Sequence, residues 1–122
     1  MCGIAGYSVN PESGLDRTLS AQALLAGIAE RGADAVGYAY RSGRGSVSVR
    51  KQRTGASQLL DQIAVPTTAT QVLLHVRDYT KGHPSIEQNN HPIRHGGVVG
   101  IHNGIIVNDD ELFARLAVLA AA

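Results

Sequence analysis

One reversal in the first half of the chain limits its fold more than any other feature. Ser42-Gly43-Arg44-Gly45 collects residues that suit a tight hairpin turn. Ala35-Val36-Gly37-Tyr38-Ala39-Tyr40 reads as a strand before it, and Ser46-Val47-Ser48-Val49-Arg50 alternates as a strand after it. A turn this short joins antiparallel neighbours. An antiparallel sheet is therefore the frame into which the other segments must fit.

Residues 2–9 read as a further strand, closed by the turn Asn10-Pro11-Glu12-Ser13-Gly14. A helix is predicted from Asp16 to Arg31, with Leu15, Leu19, Leu24, Leu25 and Ile28 as its apolar side and Gly32 as its C-cap. A shorter helix follows over Ala56–Ile63, then a loop with Pro66 and three threonines. Gln71–Val76 is apolar enough for a buried strand, and 77–95 reads as a long loop. Gly97–His102 is expected to be a second buried strand. Asn108-Asp109-Asp110-Glu111 reads as a capped helix start, with acids at the positive end of the dipole. Leu112, Phe113, Leu116 and Leu119 are the expected buried stripe of that helix. The order predicts an α+β fold with a mostly antiparallel sheet and helices on its faces.

At 122 residues the chain is one domain, and 43% apolar with 17% charged residues is a globular balance. With no Trp and one Phe, the core must come from Ala, Val, Leu and Ile. A net charge of +1 gives no reason to expect nucleic acid or an anionic membrane as partner. No apolar run is long enough to span a bilayer, and no signal peptide is evident. A single cysteine excludes an internal disulfide, so a cytoplasmic location is expected. Five histidines raise the question of a metal. His91 and His95 stand four apart, but Pro92 opposes a helix there and no cysteine pair helps, so no metal and no cofactor is expected. Gly96-Gly97-Val98-Val99-Gly100 lacks phosphate-cradling spacing. Arg41, Arg44, Arg50, Lys51 and Arg53 suit a solvated sheet edge.

The one cysteine, Cys2, directly follows Met1. Removal of Met1 would put a thiol and a free α-amine on one residue. An α-amine keeps a neutral fraction near pH 7 and can take the thiol proton, directly or through water. The following Gly3-Ile4-Ala5-Gly6-Tyr7 would fix that nucleophile at a strand start. Arg77 leaves a strand in His75-Val76-Arg77 and offers a planar fork for a carboxylate, or else a structural pairing with Asp78 or Glu87. In His102-Asn103-Gly104-Ile105-Ile106, an Asn amide and the Gly104 N–H can point at one spot as an oxyanion hole, although Asn-Gly is also an ordinary turn.

Met1-Cys2-Gly3-Ile4-Ala5-Gly6, Arg31-Gly32-Ala33-Asp34-Ala35-Val36-Gly37, His75-Val76-Arg77, Asn89-Asn90-His91-Pro92 and His102-Asn103-Gly104-Ile105-Ile106 occur in an order and spacing that resembles class II glutamine amidotransferases. These belong to the N-terminal nucleophile hydrolases, and the nearest likeness is to the glutaminase domain of glucosamine-6-phosphate synthase. The resemblance implies an αββα sandwich, here incomplete. It implies Cys2 as nucleophile, its α-amine as base, and Asn103 and Gly104 as oxyanion donors. It places Arg77, Thr80 and His91 with the substrate glutamine. Ammonia would pass to a synthase domain or subunit. Asp78 stands where the family has an aromatic residue, and Tyr79 and Lys81 also depart from its pattern. The family's domain continues past the last helix and there supplies an acid for the substrate amine. Residues 1–122 are therefore expected to be the N-terminal portion of such a domain, with a sheet face open to a second copy or a partner. The competing expectation is a non-catalytic binding or structural module of the same shape.

Overall fold

The computed structural model describes residues 1–121. Four strands form the central sheet: β1 (Gly3–Ser8), β2 (Ala35–Arg41), β3 (Val47–Gln52) and β4 (Gln71–Arg77). Their spatial order is β1-β4-β2-β3, and every pairing is antiparallel. The hairpin joins β2 to β3 with Arg41 opposite Val47, as the turn chemistry requires. The basic strand β3 lies at a sheet edge.

Side-chain alternation assigns the two faces. Ala5 and Tyr7, Val36 and Tyr38, and Val72, Leu74 and Val76 join one apolar cluster. Helix α1 (Arg17–Ile28) covers it with Ala21 and Leu25, and the short helix α2 (Ala56–Leu60) adds Ala56 and Leu59. Asp16 caps α1 by accepting the Leu19 N–H at 2.9 Å. Buried Arg17 holds the preceding turn, donating to the carbonyls of Ser13 and Leu15 at 2.6 Å and of Ala69 at 3.0 Å. Ala21 and Leu25 form the inner row of α1, while Leu15 and Leu19 are exposed. The leucines alone thus misplace the inner face, because Ala21 is the residue small enough to approach the sheet.

The opposite sheet face carries the alternate residues. Part of it is covered by the loop after β4, which includes a 3₁₀ turn (Glu87–Asn89), and by a hairpin of β5 (Ile93–His95) and β6 (Val98–Gly100). The segment 77–95 is thus partly ordered structure and not a plain loop. The strand expected over Gly97–His102 shrinks to β6, and it is not buried: Val98 is 72% exposed. Among the described residues its strand partner is β5, and the two form a separate two-stranded sheet.

Helix α3 (Asp109–Ala121) starts after Asn108 as expected, with the Leu112 N–H reaching the Asn108 carbonyl at 3.0 Å. Its apolar stripe is not buried. Leu112, Phe113, Leu116 and Leu119 are all exposed, because the helix stands away from the main core. Gly32 also differs from expectation. A 3₁₀ turn (Ala29–Arg31) ends the helix, and Gly32 is extended, so it is no left-handed cap. A Cβ there would lie 2.5 Å from the Arg77 carbonyl, and that close approach is the reason for glycine.

Candidate active site

The register of β1 against β4 brings the two chemistry-bearing ends together. Gly3 pairs with Val76, so Cys2 falls beside the residues that leave β4. The Asp78 N–H points at Cys2 Sγ over 3.4 Å, and the thiol faces the Asp78 carbonyl at 3.6 Å. Arg31 Nε donates to the Cys2 carbonyl at 3.1 Å, and Asp34 accepts the Tyr79 N–H at 2.9 Å. The Asp34 N–H in turn reaches the Arg77 carbonyl at 2.9 Å. The 31–34 segment therefore ties down both the strand that carries Cys2 and the one that carries Arg77. Sequence reading assigned these two residues no such task; the charged Arg31 and Asp34 flanking a glycine were the available signal.

A cleft of about 550 Å³ opens at this end of the sheet. Cys2, Arg77, Thr80, His91 and Gly104 all line it. Asn103 does not, although its neighbours His102 and Gly104 do. Ile105, Ile106 and Phe113 give the cleft an apolar wall. A second groove of about 530 Å³, along the same sheet face, is lined by Ala39, Tyr40, Leu73 and Val98 among others, and contains no cysteine, histidine or carboxylate.

Arg77 is buried, and its pairing is with neither Asp78 nor Glu87. Nη1 donates to Asn90 Oδ1 at 2.7 Å, and Nη2 donates to the Lys81 carbonyl at 2.7 Å and to that of Gly82. Asn90 is held by the Pro84 carbonyl at 2.8 Å, and Lys51 Nζ reaches the Asn90 carbonyl at 2.9 Å. A guanidinium has five N–H groups. Three are engaged here, so Arg77 builds the cleft wall and keeps two donors without a protein acceptor among the described residues. At the rim, Lys81 pairs with Asp109 at 2.7 Å and fastens the start of α3. That hydrogen bond raises the Lys81 pKa and lowers that of Asp109.

Asp78 is engaged elsewhere: its carboxylate forms an ion pair with the α-ammonium of Met1. Both groups are largely exposed. Exposed pairs contribute little, so Asp78→Asn is expected to change unfolding free energy by less than about 1 kcal/mol, measured by urea denaturation. A larger loss would show that the amine and Asp78 are part of the core structure.

His91 stacks on His75 with ring centroids 4.4 Å apart, and burial pushes its pKa from 6.5 down to about 4. Both rings are thus neutral near pH 7, since burial lowers His75 as well. No group of three or more His, Cys, Asp or Glu suited to a metal occurs among the described residues. No described helix is long and apolar enough to cross a membrane.

In sequence, the chain is similar to glutamine–fructose-6-phosphate aminotransferases. It is 39% identical to the isomerizing enzyme of Caulobacter vibrioides over 119 residues, 96% of this chain and 18% of the relative. The Streptomyces coelicolor enzyme is 35% identical over 121 residues, 96% of this chain and 19% of the relative. The Escherichia coli K12 enzyme is 35% identical over 121 residues, 95% of this chain and 18% of the relative. The chain thus spans about a fifth of the length of these curated relatives. No family model and no solved structure matches it.

Proposed function

We propose that this chain is the first part of a glutamine-hydrolysing domain of the N-terminal nucleophile type, with Cys2 as its nucleophile once Met1 is removed. The observation that carries the reading is the position of Cys2 Sγ against the Asp78 peptide, in one cleft with Arg77, Thr80, His91 and Gly104. The similarity to enzymes named glutamine–fructose-6-phosphate aminotransferase supports glutamine as the substrate class.

In this mechanism the free α-amine of Cys2 takes the thiol proton, and the sulfur forms a bond to the side-chain amide carbon of glutamine. The oxyanion is held by the Gly104 N–H, with the Asn103 amide as second donor after a movement toward the cleft. The amide nitrogen receives the proton and leaves as ammonia. Water then cleaves the thioester and releases glutamate. Arg77 holds the substrate α-carboxylate with its two remaining donors, and Thr80 and His91 line the pocket beside it. Ammonia passes to a synthase domain or subunit. The four-stranded sheet is the inner layer of an αββα sandwich, with α1 and α2 as its outer layer.

A second reading, a non-catalytic module of the same shape, is favoured by the commitment of Arg77 to its loop. N-terminal mass spectrometry combined with an ammonia-release assay separates the two. Loss of Met1 with glutamine-dependent ammonia supports the enzyme. A chain that lacks Met1, stays folded and releases no ammonia supports the module.

A further inference from the structure

Three segments far apart in sequence meet at the backbone of one residue. His75 lies on β4, His91 follows the 3₁₀ turn, and His102 follows β6. His75 Nε2 lies 3.1 Å from the His102 carbonyl oxygen. The His102 N–H points at His91 Nδ1 over 3.1 Å. The two rings are stacked at an interplanar angle of 18°. The His102 backbone is therefore gripped at both its N–H and its C=O, one residue before the Asn103–Gly104 turn.

We propose that His75 and His91 form a clamp on the backbone of His102, and that this clamp positions the Asn103–Gly104 turn at the cleft. The catalytic meaning of the clamp rests on the glutaminase reading above; the clamp itself does not. Both histidines are positioning residues, acting through the turn.

The hydrogen bonds fix the tautomers. A carbonyl needs a donor, so His75 carries its proton on Nε2. An N–H needs an acceptor, so His91 Nδ1 is bare and its proton is on Nε2. His75 is 1% exposed and its Nδ1 has no partner, so the ring cannot turn over without losing its one bond. On the far side of His91, Gly37 lets the loop sit on the sheet: a Cβ there would be 2.3 Å from the His91 carbonyl. A side chain at Gly104 would meet His102 Nε2 at 3.0 Å, so the turn is also held close to the residue that is gripped.

Protonation opens the clamp. An added proton on His91 Nδ1 would face the His102 N–H, donor against donor. The groups around His91 are His75 and Arg77 on β4, Lys51 on β3 and His102, all of which oppose a positive charge. Burial is the largest cause of the low value. The sign follows from linkage: the folded value of about 4 lies below the ordinary 6.5, so the unfolded chain binds more protons between them. The contribution of His91 to stability is complete above pH 6.5 and is lost as pH falls toward 4.

The test is NMR on the full, ¹⁵N-labelled chain. The His102 and Gly104 amide resonances are expected to shift together with the His91 ring, with a midpoint near 4. His91→Leu removes the acceptor and is expected to speed His102 amide exchange by about tenfold. His91→Asn puts an amide oxygen near the place of Nδ1 and is expected to restore protection. A Gly104 amide that stays unmoved through that titration overturns the proposal. So does unchanged exchange in His91→Leu, or an Asn variant as unprotected as the Leu variant. If His91→Leu does not fold, the titration of the unaltered chain decides alone. Glutamine turnover is measured on the same proteins after Met1 removal. Loss of kcat by about tenfold in His91→Leu, recovered in His91→Asn, upholds both readings. No turnover in any protein, with the amide results as expected, upholds the clamp and removes the glutaminase.

Discussion

Cys2→Ala, in the chain freed of Met1, is expected to abolish glutamine-dependent ammonia release while leaving the fold intact. The side chain lies at the start of β1 and makes only sulfur contacts with the Asp78 peptide at 3.4 and 3.6 Å. Removing one sulfur from a half-exposed strand start leaves no large cavity. The chemistry, by contrast, has no substitute. Cys2 is the sole cysteine, and no thioester forms without it. Loss of a nucleophile leaves only the rate supplied by binding and oxyanion stabilisation, so a fall of about 10³-fold or more is expected. The measurement is ammonia release, with circular dichroism as the control for folding. Ammonia release at the original rate would remove Cys2 from the mechanism.

Gly37→Ala has the second largest expected effect, and it acts on structure. Gly37 lies in the middle of β2, paired with Lys51 on one side and His75 on the other. A Cβ would meet the His91 carbonyl at 2.3 Å, Pro92 Cδ at 2.9 Å and the Arg50 carbonyl at 3.0 Å. Two of these are backbone atoms that cannot rotate aside. The loop that carries His91 must therefore lift from the sheet, at a cost of about 1–3 kcal/mol for overpacking. The same displacement separates His91 from His102 and opens the cleft wall. Urea denaturation should show the loss of stability, and the His102 amide should lose its protection at the same time. Unchanged values for both would mean that the loop does not rest on the sheet at this point.

The central sheet was legible because its signals are local. The Ser42–Gly45 turn, the alternation of 46–50 and the apolar run 71–76 each name a strand without reference to the rest of the chain. The acidic start of α3 is equally local. An apolar pattern, by contrast, does not by itself imply burial. Periodicity says which residues share a face and not what lies opposite. Phe113 and Leu116 do share a face of α3, and Val98 and Val99 do lie in a strand, but no core stands against them. The place of Gly32 in the sequence suggests a helix cap, whereas the reason for it is the Arg77 carbonyl far along the chain.

The cleft was legible to a similar depth. Cys2, Arg77, Thr80, His91 and Gly104 reach it, and Asn103 stops short. The supporting bonds were not legible. Arg31 to Cys2 spans 29 positions, and Asp34 to Tyr79 spans 45. Such bonds depend on strand register, which is fixed only when the sheet forms. The commitment of Arg77 to Asn90 and the loop carbonyls is of the same kind, and neither Asp78 nor Glu87 supplies it.

The most direct measurement uses an electrophilic analogue of glutamine, such as its chloroketone, on the chain freed of Met1, followed by peptide mass spectrometry. One adduct on the peptide that begins at Cys2, suppressed by excess glutamine, is the expected result. A folded chain that takes no adduct, or takes it at a histidine with no protection by glutamine, would contradict a glutamine site built around that sulfur.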